Sequence, residues 1–208
     1  ISGMGMATWL RLNPNLINSD DAFLLGLDSF NVVENLYLRG NDSSTRPTSY
    51  GGVDAIRIDG NEKIRNIISN NYIRGFTGAG IHAIKTGVAT VSSLIDNCII
   101  QYCGVGVNID EEAEYYQVNN VNARHCYIGA INNGGNNQFN NCGFSANRIG
   151  FLLDGRNHWN HGHGSANNCY FKHSTDFGIW IRDCSFQYVF NSCQLSASTG
   201  IDVFIQNS

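Results

Sequence analysis

Short segments of alternating apolar and polar residues run down the whole chain, and one four-residue phrase recurs in them. It begins with a polar residue, usually Asn, continues with Cys or a small residue and an outward-type residue, and ends on an apolar residue. Copies begin at Asn35, Asn70, Asn97, His125, Asn141, Asn168 and Ser192. A period of roughly 24 to 28 residues is typical of a solenoid, whose repeats bury their apolar faces against each other.

Each position of the phrase predicts a column of stacked side chains. The preceding Asn tolerates a left-handed backbone, so it suits a corner, and stacked Asn side chains can bond along the axis. The last position points inward: Leu38, Ile73, Ile100, Ile128, Phe144, Phe171 and Leu195. The third position forms an outward aromatic column that can bind sugar rings or contact another subunit: Tyr37, Tyr72, Tyr127 and Tyr170.

A second strand of each repeat carries Gly followed by an aliphatic residue. The copies are Gly52-Val53, Gly80-Ile81, Gly106-Val107, Gly150-Phe151, Gly178-Ile179 and Gly200-Ile201. Short β segments separated by turns, without an amphipathic helix, indicate parallel coils. The sequence therefore predicts an all-β, single-stranded parallel solenoid of about seven to eight coils. The interval between Cys126 and Cys142 is short and indicates either a lost turn or a slip of register.

Composition limits the class of protein. The 208 residues include 23 Gly and only 2 Pro, and 42% are hydrophobic, which fits one domain over residues 1–208 with a core and many turns. No apolar run is long enough for membrane insertion. The net charge of −4 argues against nucleic acid and leaves neutral or acidic partners open. Because the chain opens on Ile and stops within the repeat pattern, we expect an internal fragment of a longer protein.

Cysteine placement favours buried free thiols. Five of the seven cysteines hold the same place in the phrase, and equivalent residues stack about 4.8 Å apart. They are Cys98, Cys126, Cys142, Cys169 and Cys193. A column of this kind indicates small buried hydrophobes rather than a disulfide framework, and it suits synthesis in a reducing cytoplasm. No Cys-x-x-Cys pair is present for zinc, and we expect no metal and no cofactor.

Three parts of the sequence resemble a known family. They are the opening Ile-Ser-Gly-x-Gly-x-x-Thr-x-Leu, the segment from Phe30 to Asn41 and the repeated Asn-Cys-x-Ile and Gly-Ile units. Together they resemble the right-handed parallel β-helix of the pectate-lyase-like superfamily, and within it bacteriophage tailspike proteins. The resemblance implies a homotrimer that is synthesised in the bacterial cytoplasm and acts in the virion tail, where it contacts other phage tail proteins. It also implies recognition, and often depolymerisation, of a bacterial surface polysaccharide such as capsule or O-antigen.

The resemblance leaves the activity open. A tailspike that acts as a glycoside hydrolase (endoglycosidase) or a polysaccharide lyase is the first interpretation. A non-catalytic receptor-binding or structural tail β-helix is the alternative, and a cellular polysaccharide lyase or hydrolase is the third. Family motifs do not decide, because Asp20-Asp21 lies several coils from Gly162-His163-Gly164, and no calcium cluster or catalytic Arg motif is identifiable.

Geometry supplies candidate catalytic carboxylates. Asp110 and Asp154 follow Gly106 and Gly150 by four residues. With one coil between them their backbones would lie about 10 Å apart, which side-chain tilt could bring within the window of an inverting glycosidase. Glu111 and Glu114 are neighbouring alternatives to Asp110. Capping of a strand by both aspartates is the structural alternative.

Two polar loops follow these strands, where binding groups are common. The candidate saccharide-binding residues are Arg156, His158, Trp159, Tyr115 and Tyr116, which offer a cation, an imidazole and flat aromatic faces. A third, mixed face is marked by His82, Trp180, Asp54, Asn108 and Asp202.

Overall fold

The computed structural model is a parallel β-solenoid whose three sheets contain seven or eight strands each, which confirms the all-β fold and is close to the expected number of coils. The structure describes residues 9–11, 22–24, 30–41, 45–58, 65–84, 90–111, 113–156, 162–184, 187–196 and 199–207. Within these ranges every regular element is a strand, and each complete coil contributes one strand to each of three parallel sheets. No helix of the described chain has the length and apolar character to cross a membrane.

The sheets are named A, B and C in the order in which the chain passes through them from β3 onward. Sheet A comprises β3 (Val32–Glu34), β6 (Ile67–Ser69), β10 (Leu94–Asp96), β14 (Gln117–Asn119), β17 (Asn137–Asn140), β20 (Gly164–Asn167) and β23 (Tyr188–Asn191). Sheet B comprises β1 (Trp9–Arg11), β4 (Tyr37–Arg39), β7 (Tyr72–Arg74), β11 (Ile99–Gln101), β15 (Asn122–Arg124), β18 (Gly143–Ser145), β21 (Tyr170–Lys172) and β24 (Gln194–Ser196). Sheet C comprises β2 (Ala22–Leu24), β5 (Asp54–Ile58), β8 (Ala79–Ala83), β12 (Val105–Ile109), β16 (Ile128–Asn132), β19 (Ile149–Asp154), β22 (Phe177–Arg182) and β25 (Ile201–Gln206). A short pair, β9 (Thr90–Val91) and β13 (Ala113–Glu114), lies apart from them.

Left-handed residues make the corner between sheets A and B. All have positive φ: Asn35, Asn70, Asn97, Asn120, Asn141, Asn168 and Ser192. Asn side chains also bond along the axis, since Asn97 Nδ2 donates to Asn70 Oδ1 at 2.7 Å and Asn168 Nδ2 to Asn141 Oδ1 at 2.8 Å. The expected corner role of Asn and the axial bonding are therefore confirmed.

Side chains of sheet B fill the interior. The inward column is Leu38, Ile73, Ile100, Ala123, Phe144, Phe171 and Leu195. Phe144 and Phe171 stack with ring centroids 5.7 Å apart, and Phe151 of sheet C meets Phe171 edge-on. Interior aromatic rings thus join successive coils, as expected of a solenoid whose repeats bury apolar faces only against neighbours.

One copy of the phrase was predicted in the wrong register. The pairing of β15 with β11 and β18 places Val121, not Cys126, between Cys98 and Cys142. Cys126 lies instead beside Cys103 at the corner between sheets B and C. The error has a physical cause, because both corners place a left-handed residue immediately before the cysteine.

The same slip changes two other columns. Ala123 takes the inward place expected for Ile128, and Asn122 takes the outward place expected for Tyr127. In sheet C the glycine column is Gly80, Gly106, Gly129, Gly150 and Gly178. A Cβ on Gly129 would lie 2.4 Å from the carbonyl oxygen of Gly150, so this close backbone approach requires glycine. Gly52 and Gly200 lie outside the column.

Cysteines and one asparagine share a structural role at the turn that follows sheet A. Asn71 Oδ1 accepts from the Leu36 N–H at 3.0 Å, and its Nδ2 donates to the Val33 carbonyl at 2.9 Å. In the same column, Cys142 Sγ donates to the Val118 carbonyl at 3.2 Å, three residues before Val121. An amide in one coil and a thiol in another therefore bond the equivalent backbone carbonyl of the preceding coil.

All seven cysteines are free thiols. Cys98, Cys103, Cys126, Cys142 and Cys169 are buried, whereas Cys184 and Cys193 are partly exposed. The expected full burial of Cys193 is therefore not met, because its column ends in the last coil that the structure describes.

Candidate functional site

The outer face of sheet C holds a hydrogen-bonded chain of two carboxylates and an imidazole, here called the Asp–His–Asp chain (Asp54, His82 and Asp110). Asp54 Oδ2 lies 2.8 Å from His82 Nδ1, and His82 Nε2 lies 3.2 Å from Asp110 Oδ2. The three residues come from successive coils, since Asp54 begins β5, His82 lies in β8 and Asp110 directly follows β12. Parallel stacking thus brings together residues far apart in sequence.

Neighbouring groups fix the two ends of this chain. Asp54 Oδ1 accepts from the Ala79 N–H at 2.6 Å, and Asp54 Oδ2 accepts from Arg57 Nε at 2.9 Å. At the other end, Asn108 Nδ2 donates to Asp110 Oδ1 at 3.2 Å. The Asp54 side chain is 5% exposed and that of Asp110 is 30% exposed, so the chain runs from an enclosed carboxylate to one that faces solvent.

The charges of the chain are strongly coupled. Burial on its own would lower the pKa of His82, but hydrogen bonds and charge from Asp110 and Asp54 outweigh it and raise that pKa from 6.5 to about 9. Burial would raise the pKa of Asp54, yet the hydrogen bond and the charge of His82 hold it below its usual value. At neutral pH, His82 is therefore a cation between two carboxylates.

Two contacts at His82 Nε2 require opposite protonation states. Donation to Asp110 needs a proton on Nε2, whereas acceptance from Asn108 Nδ2, which is 2.8 Å away, needs a free lone pair. Nδ1 can donate to Asp54 in both states. The arrangement allows a proton to be held or released at Nε2 next to the exposed carboxylate of Asp110, which is how acid–base pairs are built.

Asp154 has a different environment. Its carboxylate accepts from Arg156 Nε at 3.0 Å and from Arg182 Nε at 3.1 Å, and the Arg182 guanidinium lies 4.6 Å from the centre of the Trp180 ring. Burial would raise the pKa of Asp154, but the hydrogen bonds of Arg156 and Arg182 outweigh it and lower it. Asp154 is therefore held ionised, which disfavours a role as a general acid.

The pairing of strands places Asp110 and Asp154 in one column, as expected. Ile109 pairs with Asn132, which pairs with Leu153, so the next residues follow in the same order with Asn133 between the two aspartates. Two strand spacings separate their backbones by about 10 Å. On the outer face the column of His82 and Asn108 continues through apolar Ile131 and Leu152, which separate the Asp–His–Asp chain from the Asp154 group.

The other expected site residues are distributed as follows. Glu111, which directly follows Asp110, and Glu114 are partly exposed, and Tyr115 is 53% exposed at the turn that precedes sheet A. Tyr116 is fully buried in the core, which contradicts its expected stacking on a sugar, because no face of its ring is accessible. Arg156 is exposed but bonded to Asp154.

Two expected binding residues, His158 and Trp159, lie outside the described residues. Within the described ranges, no three His, Cys, Asp or Glu side chains are placed to hold a metal ion. No sequence motif marks the Asp–His–Asp chain, because its members come from three coils. A signal was present in the mixed polar face of His82, Asp54 and Asn108.

Two solved structures have a similar fold. The enzymatically active domain of tailspike protein 2 from bacteriophage CBA120 matches with a TM-score of 0.66 and 14% identity, over 97% of this chain and 35% of that chain. The A-module of a mannuronan C-5 epimerase from Azotobacter vinelandii matches with a TM-score of 0.54 and 12% identity, over 96% of this chain and 55% of that one. At such identities the likeness shows a common fold.

The chain spans about a third of the length of the tailspike chain and about half of the epimerase chain. No protein-family model matches the sequence, and no curated protein sequence matches it.

Proposed function

We propose that this chain is the β-helix of a tailspike that binds and depolymerises a bacterial surface polysaccharide, with Asp110 as the catalytic carboxylate. The observation that carries the proposal is the Asp–His–Asp chain on the outer face of a β-helix wall. The two similar structures support it, because one is titled the enzymatically active domain of a tailspike and the other an epimerase of mannuronan, a polysaccharide.

Asp110 is the member of the chain that can meet a substrate. Its carboxylate is 30% exposed, and Asn108 and His82 hold one oxygen each. Hydrolysis by an activated water and elimination at a carbon acid both need a base that removes a proton, and an exposed carboxylate can serve as that base. His82 and Asp54 act as positioning residues, because His82 orients Asp110 and Asp54 orients His82.

His82 has a function that a pH profile can reveal. In the folded protein the pKa of His82 is about 9, so the imidazolium that binds Asp110 is lost as pH rises through about 9. Activity that needs this cation should fall as pH rises through about 9, and replacement of His82 by Gln should remove this alkaline limb of the activity profile. A purely structural role of His82 would lower the rate at every pH without moving the limb.

A non-catalytic receptor-binding β-helix is the second candidate function. It is favoured by the ion pairs of Asp154, which give one of the two expected catalytic carboxylates a structural role. Under either function we propose a homotrimer in the virion tail, in contact with other tail proteins. Light scattering on the full-length protein tests the trimer, and a stable monomer would oppose it.

The reaction class is tested by the products. The full-length protein is incubated with purified capsule or O-antigen of the host, and the fragments are analysed by mass spectrometry. Fragments that gain the mass of water indicate hydrolysis, and unsaturated fragments indicate elimination. Unchanged polysaccharide that nevertheless binds the protein supports the receptor-binding function and contradicts catalysis.

A further inference from the structure

Sheet B presents a column of positive side chains along the solenoid axis. Its members, called the cationic column, are Arg11, Arg39, Arg74, Arg124 and Lys172. The remaining positions of this column are Gln101, Ser145 and Ser196, so no acidic residue lies within the column. Five of the 13 Lys and Arg residues thus share one column of a chain whose net charge is −4.

These charges are available to a ligand. Arg39 and Arg124 are exposed and Lys172 is partly exposed. Across the part of the chain that the structure describes, none of these three forms an ion pair with a carboxylate. In contrast, Arg57, Arg156 and Arg182 of the sheet C face are each bound to an aspartate. Among the described residues, aspartates thus compensate these arginines of the sheet C face, whereas no ion pair compensates Arg39, Arg124 or Lys172.

Aromatic rings lie beside the cationic column, two residues earlier in the same strands. Tyr37 and Tyr72 stack with their centroids 4.7 Å apart and their planes 9° apart. Tyr170 extends over Gly143, where a Cβ would lie 2.0 Å from the ring, and its hydroxyl accepts from Asn122 Nδ2 at 2.9 Å. Because glycine has no side chain, the ring of Tyr170 can lie directly over Gly143.

Hydrogen bonds and ring contacts hold this face in place. With its amide oxygen turned toward Arg124, Gln101 accepts from Arg124 Nε and Nη2 at 2.6 Å each and donates to Tyr72 Oη at 2.8 Å. The Arg74 guanidinium lies 4.8 Å from the centre of the Tyr102 ring. The pKa of the adjacent His125 is lowered by burial and by the charges of Arg124 and Arg46, in agreement with a positive local potential.

We propose that the outer face of sheet B binds a carboxylate-bearing polysaccharide along the solenoid axis, with the cationic column on its acidic groups and the tyrosines on its rings. The inference rests on the proposed function and names the substrate class. Guanidinium groups match carboxylates in a bidentate manner, and flat rings stack on sugars. Successive cations repeat at multiples of about 4.8 Å, comparable to the length of one sugar residue in an extended chain.

Direct binding tests the inference without requiring catalysis. The affinity of the full-length protein for polygalacturonate, dextran and single-stranded poly(dT) is measured by affinity electrophoresis and calorimetry. The variant Arg39→Gln/Lys172→Gln removes one exposed and one partly exposed charge, to which the described structure assigns no ion pair. The control is Arg65→Gln, which removes an exposed arginine outside sheet B. Thermal unfolding verifies that both variants fold.

We expect wild type to bind polygalacturonate but not dextran, with an affinity that falls as salt rises. The double variant should bind about three- to tenfold more weakly, and Arg65→Gln should bind like wild type. Equal affinity of the double variant, failure to bind polygalacturonate, or tighter binding of poly(dT) would overturn the inference. A changed oligomeric mass in the double variant would identify the face as a subunit interface instead.

The outcome separates this inference from the proposed function. Depolymerisation of a neutral surface glycan without affinity for polygalacturonate contradicts the cationic column as substrate site and leaves the function intact. Polygalacturonate binding that depends on the column, without processing of any polysaccharide, contradicts the catalytic function alone.

Discussion

Asp54 and His82 lie in adjacent coils, and the carboxylate oxygen Oδ2 of Asp54 is 2.8 Å from Nδ1 of His82. A buried carboxylate that binds one imidazole nitrogen fixes the ring and directs the other nitrogen toward the exposed Asp110. The pair therefore links the stability of the solenoid wall to the chemistry on its surface, and both consequences can be measured.

The stability of the protein should fall at alkaline pH because of His82. In the folded protein the pKa of His82 is about 9, above the ordinary 6.5, so its contribution is complete below pH 6.5 and is lost as pH rises through about 9. Thermal unfolding of wild type and His82→Gln is compared from about pH 6 to about pH 10. The stability difference should shrink as pH rises, and a pH-independent difference would contradict the coupling.

Replacement of Asp154 by Asn should affect stability more than chemistry. Its carboxylate is the partner of both Arg156 and Arg182, and the Arg182 side chain is only 13% exposed. Loss of the charge leaves that guanidinium without an anion, at a cost of about 2–3 kcal/mol in the free energy of unfolding. Urea denaturation measures the loss. Polysaccharide turnover by the folded variant should stay within a few-fold of wild type, and its abolition would restore Asp154 as a catalytic residue.

At position 71, where Asn bonds two backbone groups of the preceding coil, we expect Cys to destabilise the protein less than Ala does. Asn71→Ala removes two buried hydrogen bonds and should cost about 2–3 kcal/mol in the free energy of unfolding. Asn71→Cys should cost less, because a thiol occupies the same place in neighbouring coils and contacts the equivalent carbonyl. If Asn71→Ala and Asn71→Cys lower the free energy of unfolding equally in chemical denaturation, the contact of a thiol with the carbonyl does not stabilise this turn.

Thiol reactivity should follow burial. Cys98 is fully buried, and burial raises its pKa to about 11, so it should react slowly with a thiol reagent near pH 8. Cys193 and Cys184 are partly exposed and should react first. Mass spectrometry of the native protein after timed labelling identifies the order. Rapid modification of Cys98 or Cys142 without denaturant would contradict their placement in the wall.

Repeats and apolar periodicity were sufficient to predict the solenoid, because the inward side chains of a coil recur with every turn. The register of individual strands was harder to predict. The corner before Cys126 has the same local pattern as the corner before Cys98, and only the pairing of β15 distinguishes them. Tyr116 was misjudged for a related reason, since the sequence does not reveal which side of a turn faces the core.

The candidate sites depend on contacts between coils, which no local pattern contains. Asp54, His82 and Asp110 lie together because β5, β8 and β12 pair side by side in sheet C. The cationic column has a signal in the sequence, because Arg39, Arg74, Arg124 and Lys172 each end a strand of sheet B. Recognising it required the correct register, because Tyr127 had been assigned to the place that Asn122 occupies.

The central claim is that Asp110 catalyses polysaccharide cleavage, and the chain length of the host polysaccharide tests it most directly. Purified capsule or O-antigen is incubated with wild type, Asp110→Asn or Asp202→Asn and analysed by size-exclusion chromatography with light scattering. Asp202 is an exposed carboxylate of the same sheet and serves as the control. Wild type and Asp202→Asn should shorten the polymer, whereas Asp110→Asn should be slower by about 10²- to 10⁴-fold with unchanged saccharide binding. Cleavage by Asp110→Asn at the wild-type rate would contradict the claim.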